Sequence, residues 1–130
     1  MDENKKYTIL IVEDEEMLLD VYVEALQMAG FEVLAAPDAY KAEKLLQEKI
    51  GVIDLVVLDI MLPGKDGLAL LREVKENPEK FGTPKFVMLT NMTSNTIITE
   101  AFNHDADSYL IKTEMEYDDL VKEVKKVLAE

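Results

Sequence analysis

Five short runs of β-branched and apolar residues alternate with segments of helical spacing, and no other feature restricts the fold as much. The runs are Thr8–Val12, Glu32–Ala36, Leu55–Leu58, Lys85–Leu89 and Ser108–Ile111. The first, third and fourth are nearly all apolar, as expected of strands covered on both faces. Between the runs, Leu18, Val21, Ala25 and Met28 share one helical face. So do Ala42, Leu45, Leu46 and Ile50, and again Leu68, Leu71 and Val74. The last segment carries Leu120, Val121, Val124, Val127 and Leu128, with Asp118 and Asp119 near its start and Lys125 and Lys126 near its end. That charge order complements a helix dipole. Gly30 and Gly51 follow the first two helical segments as left-handed C′ residues. Pro37-Asp38 reads as the entry and N-cap of the second helix, and Asn77-Pro78 stops the third. Five βα units in succession predict a parallel sheet with helices on both faces, a doubly wound α/β domain.

A chain of 130 residues fits one such domain, and its core needs no metal or disulfide staple. Hydrophobic residues at 48% and charged residues at 32% argue against global disorder. The 27 acids against 14 lysines and arginines give a formal charge of −13. A phosphate backbone would be repelled, so direct nucleic-acid binding is not expected. Cysteine is absent, which removes disulfides, thiolate zinc sites and cysteine nucleophiles together. His104, the lone histidine, cannot build a multi-histidine metal site. No apolar run approaches the roughly 18 residues of a membrane helix, and the stretch Tyr7–Val12 is too short for a signal peptide. The expected location is cytoplasmic.

Ligands of an open α/β sheet bind at the carboxyl ends of its strands. The first run ends in Val12-Glu13-Asp14, the third in Leu58-Asp59 and the fourth in Leu89-Thr90, and Lys112 follows the fifth. With these strands side by side, three carboxylates, a hydroxyl and an ammonium converge. Each residue alone has a plainer reading. Asp14 serves as the N-cap of the first helix, with Glu15 and Glu16 on its dipole; Asp59 caps the turn containing Pro63 and Gly64; Thr90 and Lys112 are ordinary surface or strand-end residues. Those readings are independent of one another, whereas the convergence is not. Clustered carboxylates hold their protons unless a cation sits among them. Oxygen-only ligands favour a hard ion, magnesium or manganese, over zinc. A strand-end aspartate beside such an ion is a nucleophile toward a phosphoryl group, whose transfer is mainly a matter of positioning and neutralising charge.

Four segments carry a resemblance to the receiver domains of two-component response regulators, chemotaxis-regulator-like members included. They are Ile9–Glu15, Leu55–Gly67 (LVVLDIMLPGKDG), Val87–Asn91 and Ala106–Lys112. The resemblance covers nearly the whole chain. It implies a flavodoxin-like (βα)5 fold with strand order 2-1-3-4-5 and a receiver over residues 1–130, core about 7–129, with no output domain. It implies that Asp59 accepts a phosphoryl group from the histidine of a sensor kinase or phosphotransfer protein. Asp14 and Asp59, with the backbone carbonyl of Met61, would ligate magnesium (or manganese), and Glu13 would act through its water shell. Lys112 and Thr90 would contact phosphoryl oxygens. Tyr109 takes the switch-aromatic position, turning inward as Thr90 moves; its plainer reading is a half-buried strand aromatic. The output face would be the helix at about Thr96–Asn103 with the fifth strand and the C-terminal helix. That face would serve a downstream protein target or output domain, or a homodimer. The chain would catalyse only its own phosphorylation and dephosphorylation and would not be a turnover enzyme.

Three positions depart from the family's pattern. Thr113 replaces the proline that usually follows the lysine through a cis bond. Because a cis bond before a non-proline residue costs roughly 2.5–4 kcal/mol, a trans bond is expected here. Asn91 stands where a small residue is commonest, near enough to crowd or hydrogen-bond a phosphoryl group. Asp105 replaces a glycine, so the turn either avoids positive φ or Asp105 tolerates it. Met61 and Met92, two positions beyond Asp59 and Thr90, cannot orient a hydrolytic water, so no specially accelerated dephosphorylation is expected.

These departures motivate a competing reading, a non-phosphorylated pseudo-receiver that serves as a constitutive interaction module. The intact Glu13, Asp14, Asp59, Thr90 and Lys112 oppose it. An aspartate-nucleophile phosphatase would want a carboxylate where Met61 stands. Nucleotide or flavin binding fails for want of a glycine-rich loop after the first strand, where Glu13-Asp14-Glu15-Glu16 would repel phosphate.

Overall fold

A computed structural model describes residues 1–130. The elements in chain order are β1 (Thr8–Val12), α1 (Glu16–Met28), β2 (Glu32–Ala36), α2 (Ala39–Glu48), β3 (Leu55–Leu58), α3 (Gly67–Glu76), α4 (Pro78–Phe81), β4 (Lys85–Thr90), α5 (Asn95–Asn103), β5 (Ser108–Ile111) and α6 (Tyr117–Ala129), with a single 3-10 turn at Lys112–Glu114. All strand pairs are parallel, in the order β2-β1-β3-β4-β5. Both the doubly wound class and the strand order agree with expectation.

Side-chain alternation along the central strands builds two cores from one sheet. Leu10 and Val12 of β1, Val56 and Leu58 of β3, and Phe86 and Met88 of β4 pack with Leu46 of α2, Leu71 of α3 and Ala101 of α5. Their neighbours Ile9, Ile11, Leu55, Val57, Val87 and Leu89 face the other way, onto Tyr22 and Leu26 of α1 and Leu120 and Val124 of α6. Two apolar layers explain why these strands read as unbroken apolar runs. The edge strand β2 is covered less completely: Glu32 and Ala35 are exposed, Val33 and Leu34 half-buried, and only Ala36 is buried.

Local signals account for most boundaries. Asp38 caps α2 by accepting the Lys41 N–H at 2.8 Å, and Gly30 ends α1 at φ +97°. Gly51 is also left-handed, but α2 stops at Glu48 with Lys49 as its C-cap, so Gly51 lies one residue past C′. Asn77-Pro78 does end α3, yet Pro78 also opens the one-turn helix α4, which the sequence pattern did not predict. Asp105 tolerates φ +65° in place of glycine, and no peptide bond is cis, Lys112-Thr113 included.

From β1 the chain crosses to the edge strand β2 and then returns to the other side of β1 as β3. The reversal leaves a crevice beyond the carboxyl ends of β1 and β3.

Candidate functional site

The sheet itself delivers the acids to this crevice. Past the end of β3, the Asp59 N–H donates to the Val12 carbonyl at 3.1 Å; past β1, the Glu13 N–H donates to the Ala36 carbonyl at 3.1 Å. Each acid is therefore held by the ladder of a neighbouring strand. Glu13 is 2% exposed, Asp59 5% and Thr90 fully buried, while Asp14 is open to solvent. Asp14, Asp59, Met61, Thr90, Asn91 and Lys112, with Glu15, line one cleft of about 220 Å³. All the site residues expected from the sequence except Glu13 and Tyr109 thus share a wall of it, and Glu13 lies behind.

Lys112 connects the buried acids. Its Nζ stands 2.6 Å from Asp59 Oδ2 and 2.5 Å from Glu13 Oε1. Burial works against this ammonium's charge, but the Asp59 and Glu13 carboxylates outweigh it and push its pKa up to about 12. Glu13 is also raised, chiefly by burial, with Lys112 pulling the other way. The two directions are compatible, since one cation serves two buried carboxylates. Glu13 Oε2 accepts the Glu15 N–H at 3.2 Å. Glu13 Oε1 has the Lys112 ammonium as its partner.

Of the plainer readings, that of Asp14 fails. The N-cap of α1 is Glu15, without a side-chain capping bond, and the Asp14 carboxylate caps nothing. Asp59 partly fits its own, because Oδ1 accepts the Met61 N–H at 3.1 Å. One carboxylate oxygen of each of Glu13, Asp14 and Asp59 lies within 4.8 Å of the others, close enough to hold a metal ion. Three clustered carboxylates, one of them open to solvent, and an all-oxygen donor set fit a hard divalent cation.

Comparison with known proteins bears on what this cleft is. The response regulator receiver domain family matches residues 9–125. The chain belongs to that family. Among its relatives are the transcriptional regulatory protein YrkP of Bacillus subtilis, 36% identical over 106 residues, 82% of this chain and 43% of that protein, and the phosphate regulon transcriptional regulatory protein PhoB of Pseudomonas aeruginosa, 34% identical over 105 residues, 81% of this chain and 44% of that protein. The receiver spans less than half the length of these curated relatives. A CheY-like receiver domain protein from Methanospirillum hungatei superposes with a TM-score of 0.85 at 28% identity, covering 96% of this chain and 95% of that one.

In this receiver the Thr90 hydroxyl accepts the Met92 N–H at 3.4 Å, and the Tyr109 hydroxyl donates to the Met92 carbonyl at 2.8 Å. The Tyr109 ring lies 6.5 Å from that of Phe102 on α5. The loop after Thr90 is thereby tethered to the expected switch aromatic. The two departures Asn91 and Thr113 turn out to be partners: Asn91 Oδ1 accepts the Thr113 N–H at 3.1 Å.

Sequence reasoning missed Gly67 and Lys65 as supports of the site. The Gly67 N–H donates to the Ile60 carbonyl at 2.9 Å. A Cβ there would lie 2.1 Å from the Asp59 carbonyl oxygen and 2.8 Å from Ile60 Cα. Lys65 bonds both Glu43 of α2 and Glu73 of α3, anchoring the loop that carries Met61. The glycine stood in plain view in LPGKDG, but only the fold shows which backbone it must clear.

Proposed function

We propose that this receiver accepts a phosphoryl group on Asp59 from the histidine of a sensor kinase or phosphotransfer protein. The observation that carries the reading is the Lys112 ammonium, held between Asp59 Oδ2 and Glu13 Oε1 beside the buried Thr90. An Asp59 oxygen attacks phosphorus; the P–O bond forms as the P–N bond breaks, and the electron pair leaves with the imidazole nitrogen, which takes up a proton. Lys112 transfers its contact from the carboxylate to a phosphoryl oxygen, and the Thr90 hydroxyl donates to another. Glu13, Asp14, Asp59 and the Met61 carbonyl are the groups that would hold magnesium, or manganese. Bound there, the ion supplies positive charge that offsets the carboxylates and the incoming phosphoryl group.

Movement of Thr90 toward the phosphoryl group pulls on the Met92 peptide, and through the Met92 carbonyl it reaches Tyr109. The face of α5, β5 and α6 then changes for a protein target, a linked output domain or a second copy. The receiver turns over no external substrate; it catalyses its own phosphorylation and dephosphorylation, in the cytoplasm. No helix is long and apolar enough to cross a membrane.

Intact mass after incubation with magnesium and a small-molecule phosphodonor, beside an Asp59→Asn control, tests the reading. One phosphoryl group on the parent and none on the variant supports it. An unmodified parent favours the constitutive interaction module.

A further inference from the structure

Thr90 and Ile111 are the last residues paired between β4 and β5. One step beyond, the Asn91 side chain continues the connection by accepting the Thr113 N–H at 3.1 Å. Thr113 lies inside the 3-10 turn that begins at Lys112, where the first N–H groups have no acceptor of their own in the turn. The bond therefore joins the backbone just after Thr90 to the backbone just after Lys112. Asn91 and Lys112 also form the partition between two cavities, the site cleft of about 220 Å³ and a neighbouring one of about 300 Å³ that Tyr22 and Tyr117 line. They are the only residues the two cavities share. The Lys112 ammonium reaches Asp59 and Glu13 from this turn, so the position of the turn sets where the stem starts and how far it must extend.

We propose that Asn91 is a positioning residue whose hydrogen bond to the Thr113 amide holds the Lys112 turn against the end of β4 and sets the ammonium for phosphoryl transfer. The proposal rests on the reading of Asp59 as phosphoacceptor. Asn91 is exposed, so its replacement leaves the packed core intact.

The test compares the parent with Asn91→Leu, which keeps the shape but loses the acceptor, and with Asn91→Asp, which keeps an acceptor oxygen. Asn91→Ala replaces the leucine variant if the latter disturbs folding. Hydrogen exchange of the Thr113 amide, read by NMR, reports the tether. The initial rate of Asp59 phosphorylation by a small acyl phosphate with magnesium reports its consequence. The expected result is a Thr113 amide protected in the parent and in Asn91→Asp and faster to exchange in Asn91→Leu. Phosphorylation of Asn91→Leu slows about two- to tenfold, the range of one net hydrogen bond, while magnesium affinity stays at the parent's value. Equal exchange in parent and Asn91→Leu, or equal phosphorylation rates, overturns the proposal. A parent that takes up no phosphoryl group overturns the Asp59 reading and the proposal's link to transfer. The exchange measurement still decides separately whether the tether exists.

Discussion

The Lys112 ammonium lies 2.6 Å from Asp59 Oδ2 across 53 residues of sequence, and it is the one cation among the acids of the cleft. Its other contact, Glu13 Oε1, is buried. Replacing Lys112 with methionine keeps most of the stem and strands two buried carboxylates. Breaking a buried pair by removing one partner costs about 3–5 kcal/mol, less whatever Glu13 recovers by taking up a proton. Urea denaturation at neutral pH without divalent cations should show a loss of at least ~2 kcal/mol for Lys112→Met. An unchanged midpoint would mean that the ammonium is not paired as described.

Magnesium binding separates Asp14 from the rest of the cluster. Asp14 is exposed and caps nothing, and its carboxylate repels those of Glu13 and Asp59, so Asp14→Asn should leave the apo protein at least as stable as the parent. The parent should gain roughly 2.7 kcal/mol at a magnesium concentration one hundred times its Kd, and a chelator should remove that gain. The variant should need far more ion for the same shift. Thermal unfolding across a magnesium series checks this; equal ion dependence in the two proteins would remove Asp14 from the metal site.

Gly67 supports Asp59 through close approach, not through a special backbone angle. A methyl group at this position meets the Asp59 carbonyl oxygen at 2.1 Å, which α3 can relieve only by shifting away from the β3 end. Gly67→Ala should therefore destabilise the fold by about 1–3 kcal/mol, the usual cost of overpacking. It should also slow phosphorylation. If alanine raised stability through its better helix propensity, the close approach would be wrong.

The Tyr22 hydroxyl should ionise well above the ordinary tyrosine value. Burial pushes its hydroxyl up to about 12, although the Lys112 charge acts in the opposite direction. The folded protein thus holds this proton more tightly than the unfolded chain, whose tyrosine pKa is about 10. The associated stability is complete below that value and is lost as pH rises from about 10 through 12. Tyrosinate absorbance should show a step near pH 12 in the parent that Tyr22→Phe lacks. A step near 12 that persists in the variant would assign it elsewhere.

The fold was legible because its signals are local. The apolar runs, the Asp38 cap and the glycine at position 30 each act within a few residues, and two-sided burial leaves a recognisable composition. The acidic site was legible because strand ends must converge in a doubly wound sheet. What escaped was either short or non-local. Four residues give α4 no periodicity to read. Gly67 matters through the backbone of Asp59 and Ile60, and Lys65 through acids on two separate helices. Asn91 and Thr113 looked like two unrelated departures until the ends of β4 and β5 placed them 3.1 Å apart.

The identity of the phosphorylated atom tests the account most directly. The protein, phosphorylated in the presence of magnesium, is reduced with borohydride, which converts an aspartyl phosphate to homoserine, and is then mapped by peptide mass spectrometry. The account predicts homoserine at position 59 and at no other acid. Modification at Asp14 or Glu13, or none anywhere in a protein that binds magnesium, would contradict it.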